Sequence, residues 1–378
     1  MIYLEIPRGD GNIDISIPET AHRWALLNRG TGGALIPFDP DEYYRRQIAL
    51  KELGREGQER LRRSRVAVVG LGGLGSPAAI YLALAGIGHL RLIDQDTVEL
   101  HNLHRQILYT IDDLRYPKAE VAARRIKRMN PDVVAEPIPE NLGRENVDRI
   151  LEGVDCVVDG LDNMRTRYIV NEACVRKGIP YVYAAVIGFE GCLSVFRPPR
   201  TPCLACVFPN LDDRALPSCE TRGILGATAG IVGAMEAMEA IKVLAGIDSI
   251  EGSLLICDFI DMYISKVEIS RDPRCPICGE GGRGRAVGEP EGLIWLCGRN
   301  TVNVNPKEPL GLSVEEMHER LRGRLRVLLK SPFALVLERD GVEISLFKGG
   351  RMLIKNVKGE DDALGIYEEI MGYLRGGP

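Results

Sequence analysis

Apolar and polar positions change period several times along the chain, and the changes mark out elements. Residues 65–94 read as a continuous apolar run, VAVV, a glycine turn, an apolar helical stretch and a second run, HLRLID. That is a strand–helix–strand unit with a parallel crossover. A helical pattern over Lys118–Met129 passes through Asn130-Pro131 into VVAEPIPE, and Asp155–Gly160 (DCVVDG) reads as a fourth strand ending in the polar turn Leu161-Asp162-Asn163. A helix over Arg165–Lys177 and the strand YVYAAV follow, then a small-residue helix over Gly223–Gly246. Strands alternating with helices predict a doubly wound, mostly parallel α/β sheet that binds ligands at the strands' C-terminal ends.

The flanks read differently. Residues 1–42 are an extension, with a short strand pair, YLEI and IDISI, around Gly9-Asp10-Gly11; a helix over Tyr43–Leu61 follows, with Gly54 interrupting it. The core domain spans 43–278, a glycine-rich charged linker 279–292, and a small α+β domain 293–378, with no internal repeat. The chain of 378 residues suits one large and one small domain. Its 45% hydrophobic and 27% charged residues are ordinary for a globular protein. A net charge of −5 argues against sequence-independent nucleic-acid binding, which needs a cationic face. The basic runs Arg60–Arg65 and Arg124–Arg128 read as solvated helix faces. No apolar stretch reaches the length of a bilayer span, and charges interrupt the N-terminus, so a cytoplasmic protein without a membrane partner is expected.

Gly70-Leu71-Gly72-Gly73-Leu74-Gly75 follows a strand and opens a helix. Glycines there allow a tight turn, let a phosphate approach the backbone and aim helix N–H groups at it. Asp94 closes the second strand 19 residues later, where a carboxylate can bond ribose hydroxyls. Alone, this would suggest a nicotinamide or flavin dinucleotide. The residues that follow argue otherwise: Asn102, Arg105, Gln106 and Lys118 form a polar, cationic group that a dehydrogenase has no use for. A triphosphate with a pyrophosphate leaving group needs such cations. Arg105 and Lys118 are suitable donors, and Asp162, at a strand's end, is placed to hold magnesium.

The segments GLGGLGS, Asp94-x-Asp96-x-Val98-Glu99-x-x-Asn102-x-x-Arg105-Gln106, Pro117-Lys118-Ala119-Glu120 and Asp159-Gly160-Leu161-Asp162-Asn163 occur in this order. Over roughly residues 43–269 the chain resembles the ubiquitin-activating adenylyltransferase superfamily, nearest its ThiF/MoeB/HesA branch. The resemblance implies that Gly73, Asp94, Asn102, Arg105, Lys118, Asp162 and Asn163 contact ATP and magnesium. It also implies a homodimer in which Arg46 reaches the partner subunit's nucleotide site. The implied reaction is ATP-dependent adenylation of the C-terminal glycine of a ubiquitin-fold carrier ending in Gly-Gly. The product would serve sulfur transfer or, alternatively, protein conjugation through a thioester passed to a conjugating enzyme. A nicotinamide-dependent oxidoreductase is the remote alternative.

Ten cysteines fall to different uses. Cys203-x-x-Cys206 and Cys275-x-x-Cys278 are two knuckles that, meeting in space, would form a closed tetrahedral zinc site. A redox use of either pair lacks the expected surroundings. Cys219 resembles the family's catalytic cysteine, which forms a thioester, persulfide or acyl-disulfide; Arg222 and a helix beginning near Ile224 would favour its thiolate. An ordinary loop cysteine is the competing reading. Cys156, Cys174, Cys192 and Cys257 read as small hydrophobes. The C-terminal region has only Cys297 and no rhodanese cysteine loop, so sulfur would come from a separate sulfurtransferase or persulfide donor.

Overall fold

Val66, Val68, Leu90, Leu92, Cys156 and Val158 face one side of a sheet, while Ala67, Val69, Ile93 and Val157 face the other, and both sides are buried. A strand covered on two faces must be apolar at nearly every position, which is why these runs lack alternation. The computed structural model of the chain describes residues 38–213, 216, 219–280, 293–295, 301–306 and 310–376. The expected strand pair in the first 37 residues and most of the expected linker lie outside these.

The first sheet is built from β1 (Arg65–Val69), β2 (His89–Ile93), β3 (Val134–Ile138), β4 (Cys156–Asp159), β5 (Tyr181–Ile187), β6 (Glu190–Phe196), β7 (Ser253–Asp258) and β8 (Tyr263–Glu268), in the order β3-β2-β1-β4-β5-β6-β7-β8. β3, β2, β1, β4 and β5 run parallel, and β6 to β8 continue antiparallel. Pro137 sits in the edge strand β3, where a missing ladder donor is tolerated. The strand order reverses between β1 and β4, and that switch point opens a crevice at their C-terminal ends.

Five longer helices accompany this sheet: α1 (Gly54–Arg63), α2 (Gly75–Leu84), α3 (Lys118–Met129), α4 (Met164–Lys177) and α5 (Gly226–Ala245). Leu82 of α2, Ile126 of α3 and Val232 of α5 pack on one face, and Ile169 and Val170 of α4 on the other. The helix expected over 43–61 is divided into the turns Pro40–Tyr43 and Arg45–Ile48 and then α1. Gly54, at φ 60°, begins α1 instead of interrupting a longer helix. None of the described helices is long and apolar enough to cross a membrane.

The second sheet is antiparallel, in the order β11-β12-β13-β14-β10-β9. Its strands are β9 (Leu293–Trp295), β10 (Thr301–Val304), β11 (Arg326–Lys330), β12 (Ala334–Arg339), β13 (Val342–Phe347) and β14 (Met352–Lys355). Here the alternation is clean. Leu335, Leu337, Ile344, Leu346, Met352 and Ile354 meet α6 (Val314–Leu321) and α7 (Glu360–Arg375) in a core of their own. A capping box between Ser313 and Glu316 starts α6. The intervening residues, including Ser345, Arg351, Leu353 and Lys355, are buried on the opposite face. That face lies against the first sheet's loops: Lys355 Nζ donates to Thr97 Oγ1 at 2.9 Å, and Arg115 Nε to Glu343 Oε2 at 2.8 Å.

Candidate functional site

At the end of β1 the chain enters Gly70 at φ 89°, a conformation that side chains with a Cβ rarely adopt. The backbones of the switch point then press together. A Cβ on Gly75 would lie 1.8 Å from the Gly70 carbonyl oxygen, and one on Gly160, after β4, would lie 2.2 Å from it. No side chain fits, so the glycines are a packing requirement that fixes where α2 starts. Gly72 is more open: the nearest atom to a Cβ there would be Gln106 Nε2, at 3.8 Å. Arg105 Cγ and Cδ would each lie 3.8 Å from a Cβ on Gly73. The structure thus brings Arg105 and Gln106 over the exposed part of the glycine turn, at the N-terminus of α2, where an anion would be stabilised.

Asp94 closes β2 and is held twice by backbone: Oδ2 accepts from Leu71 N–H and Oδ1 from Asp96 N–H, each at 2.7 Å. Burial pushes its carboxyl up from the usual range; the nearby Lys118 ammonium counters and Asp96 adds to the rise. Lys118 is the first residue of α3 and is 3% exposed. Its Nζ donates to Asp96 Oδ2 at 3.1 Å, and its backbone N–H to the Asp96 carbonyl at 2.9 Å. A buried ammonium needs such a partner to remain charged.

Asn102 ends the helical turn Leu100–Asn102 and is fully buried. Neither its Oδ1 nor its Nδ2 has a hydrogen-bond partner among the described residues, and neither does Gln106 Oε1. Buried polar atoms in folded proteins are nearly always paired, so these three atoms mark where a polar ligand would fit. Arg105 Nη1 donates to the His101 carbonyl at 2.8 Å and lies 2.9 Å from His104 Nε2, which orients the guanidinium. Both histidines therefore support Arg105.

Beyond β4, Asp162 is exposed, and its Oδ1 accepts from Asn163 Nδ2 at 3.2 Å. Asn163 also caps α4, accepting from Thr166 N–H at 2.9 Å. Beneath this turn lies a buried network that the sequence did not reveal. Asp159 Oδ2 accepts from Arg167 Nε at 3.0 Å and from the Tyr181 hydroxyl at 2.5 Å. Arg167 Nη2 donates to the Leu161 carbonyl at 2.7 Å and the Ala184 carbonyl at 2.8 Å. Glu236 Oε1 of α5 accepts from Asp159 N–H at 2.8 Å. Burial pushes the Glu236 carboxyl well above its ordinary range, and the Asp159 charge pushes the same way. A guanidinium bonded to two carbonyls and a carboxylate fixes the turn that presents Asp162.

The two C-x-x-C knuckles meet. Sγ–Sγ distances are 4.0 Å for Cys203–Cys206, 3.7 Å for Cys203–Cys275 and 3.4 Å for Cys206–Cys278. All four sulfurs lie within 4.8 Å of one another. Zinc–sulfur bonds of about 2.3 Å in a tetrahedron place sulfurs about 3.8 Å apart, so the donor set fits the metal. Cys203, Cys275 and Cys278 are buried.

A model of the ThiF family matches residues 44–277. The chain belongs to the ThiF family. It is 45% identical over 260 residues to the sulfur carrier protein adenylyltransferase of Thermus thermophilus, covering 67% of this chain and 96% of that protein. It is 44% identical over 241 residues to the SAMP-activating enzyme E1 of Haloferax volcanii, covering 63% of this chain and 89% of the other. Among solved structures, E. coli MccB with MccA-N7isoASN superposes with a TM-score of 0.57 at 25% identity, over 64% of this chain and 77% of MccB. The ThiF-family match ends within the second cysteine knuckle, so the second sheet lies outside it.

Two further residues expected from the ThiF-family resemblance lie on short helical turns. Arg46 is exposed on the turn Arg45–Ile48, and no hydrogen bond or ion pair among the described residues ties it to the crevice. Cys219 opens the helical turn Cys219–Arg222, and its side chain lies outside the described residues. Arg222, expected to favour a thiolate there, has its Nη2 on Glu190 Oε1 at 2.7 Å. The long helix beyond begins at Gly226, two residues past Ile224. Arg167 and Glu236 had no sequence signal of their own, since each charge lies on a helix that otherwise reads as ordinary.

Proposed function

We propose that this ThiF-family protein catalyses ATP-dependent adenylation of the C-terminal glycine carboxylate of a ubiquitin-fold carrier protein, releasing pyrophosphate. The observation that carries this reading is a glycine turn with Arg105 and Gln106 set against it, Asp94 bonded to its Leu71 N–H, Lys118 held by the neighbouring Asp96, and buried polar atoms of Asn102 and Gln106 Oε1 without partners among the described residues. The relatives' names, an adenylyltransferase for a sulfur carrier and an activating E1, support the same reaction.

The carrier carboxylate attacks the α-phosphorus of ATP, a new acyl–phosphate bond forms, and the bond to the pyrophosphate oxygen breaks. A carboxylate is already ionised at neutral pH, so no general base is required; positioning and charge stabilisation do the work. Gly70, Gly72, Gly73 and Gly75 form the phosphate turn, and Asp94 receives the ribose. Lys118 and Arg105 neutralise charge on the phosphates. Asp162, with Asn163 beside it, would hold magnesium, which supplies further neutralisation of the leaving group. Arg46 completes the partner subunit's site in a homodimer. Cys203, Cys206, Cys275 and Cys278 would hold zinc with all four positions taken by thiolates, so the metal would serve the architecture and not the reaction.

Cys219, or a persulfide on a separate donor, then attacks the acyl group and AMP leaves. Attack by the persulfide gives an acyl disulfide, from which a second thiol, ending in a disulfide with the donor cysteine, frees the carrier thiocarboxylate as the expected product. Attack by Cys219 gives a thioester, and its transfer to a conjugating enzyme is the second reading, favoured by the E1 relative. Intact-mass measurement on Gly-Gly carriers incubated with enzyme and magnesium ATP separates the outcomes. An AMP adduct that accumulates with Cys219→Ala supports the reading, whereas unmodified carriers together with firm NAD binding contradict it.

A further inference from the structure

Arg351 immediately precedes β14, on the face of the second sheet turned away from α6 and α7, and is 8% exposed. Its guanidinium reaches across to the first sheet. Nη2 donates to the Gln95 carbonyl at 2.6 Å and to the Pro139 carbonyl at 3.2 Å. Nη1 donates to Asn303 Oδ1 at 2.9 Å, and the group stacks 3.7 Å from the centre of the Phe347 ring. Gln95 is two residues past the end of β2, and Pro139 is one past the end of β3. One side chain therefore ties together the loops at the C-terminal ends of two neighbouring strands.

Those loops carry the nucleotide machinery. Gln95 stands between Asp94, assigned to the ribose, and Asp96, which holds the Lys118 ammonium. Next along the same loop, Lys355 Nζ bonds Thr97 Oγ1 at 2.9 Å, Glu99 Oε1 at 2.7 Å and Glu343 Oε1 at 3.1 Å. The Asp94–Glu99 segment gathers three carboxylates, and two cations from the second sheet are set against it. Burial draws the Arg351 guanidinium down to about 10, with Asp96 and Asp94 pushing back, so it stays charged at neutral pH. The ThiF-family match ends at residue 277, so both cations come from outside the shared part.

We propose that Arg351 is a positioning residue for the adenylation reaction: with Lys355 as a second tether, it holds the Asp94–Glu99 loop in the geometry that receives ATP. This rests on the nucleotide reading above. The second sheet thereby acts on ATP affinity without touching the carrier carboxylate or the breaking bond. A loop that must be ordered by the ligand binds it more weakly, because the ordering cost is then drawn from binding.

The test uses full-length protein and two readouts. In carrier-dependent ATP–pyrophosphate exchange, Arg351→Ala is expected to raise the KM for ATP about tenfold, the scale of one lost charged hydrogen bond, with kcat changed by no more than about twofold. Arg351→Lys, which keeps the charge but not the two-carbonyl reach, recovers part of the loss. Amide hydrogen exchange over residues 94–99 rises in Arg351→Ala, and Arg326→Ala, an exposed residue on β11, leaves both readouts at the wild-type value. Should Arg351→Ala fail to fold, Lys355→Met carries the test, with the same direction expected. An unchanged KM and unchanged loop exchange would overturn the inference, as would a variant whose kcat and melting temperature fall while its KM stays put. If the wild-type protein exchanges with no carrier, the adenylation reading fails, and magnesium ATP titration with hydrogen exchange still decides the tether: unaltered affinity and loop exchange in Arg351→Ala overturn it.

Discussion

Glu236 is fully buried on α5 and receives one hydrogen bond, from Asp159 N–H. Asp159 itself is matched by Arg167 and Tyr181, so its charge is compensated, whereas no cation bonds Glu236 among the described residues. Burial and the Asp159 charge both favour the protonated Glu236 carboxyl. The folded protein thus holds a proton that an unfolded chain releases above the ordinary value of 4.5. That contribution to stability is complete below the unfolded value and is lost as pH rises through the folded one. We therefore expect the unfolding free energy measured in urea to fall as pH rises above 4.5, by at most about 1.4 kcal/mol per pH unit for this group. Glu236→Gln should remove that part of the slope. Equal slopes in variant and wild type would mean the carboxyl is ionised in the folded state. Arg167 shows the matching point about a buried pair: deleting it would strand Asp159, at a cost of about 3–5 kcal/mol.

At the scale of elements, the glycine turn, the strands β1, β2 and β4 and the helix α3 were legible because continuous apolar runs and glycines each admit few structures. Asp94, Asn102, Arg105, Gln106 and Lys118 were legible too, since their spacing follows one loop of continuous chain. Asp159, Arg167 and Glu236 were not, because they come from β4, α4 and α5 and meet only through the fold. The cysteine knuckles were readable in spite of the 68 residues between Cys206 and Cys275, because C-x-x-C carries its own geometry. Without metal, the four sulfurs, all within 4.8 Å of one another, would lose a cross-link between the segment after β6 and the residues after β8. Purified protein should hold about one zinc per chain, and Cys206→Ser should lower both the zinc content and the melting temperature. Full metal content in that variant would remove the cluster from the fold's support.

Over the whole molecule, the second sheet was readable as a small α+β unit, but its docking was not. Nothing in the sequence sets Arg351 and Lys355 apart from other charges of this region, and only the assembled structure turns their face onto the Asp94–Glu99 loop. Arg46 raises the complementary question, since it is exposed in a single chain while the proposed site needs it from a partner. Mixing and refolding Arg46→Ala and Lys118→Ala proteins, each inactive alone, should restore about a quarter of wild-type turnover, because half the dimers would contain one intact site. No recovery would place Arg46 in its own subunit's chemistry or outside the chemistry altogether. The central claim is that the glycine turn, Arg105 and Lys118 activate a carrier carboxylate with ATP. Carrier-dependent ATP–pyrophosphate exchange tests it most directly. The account predicts exchange with one Gly-Gly carrier, retained in Cys219→Ala and reduced about a hundredfold or more in Lys118→Ala. Exchange that survives intact in Lys118→Ala would contradict it.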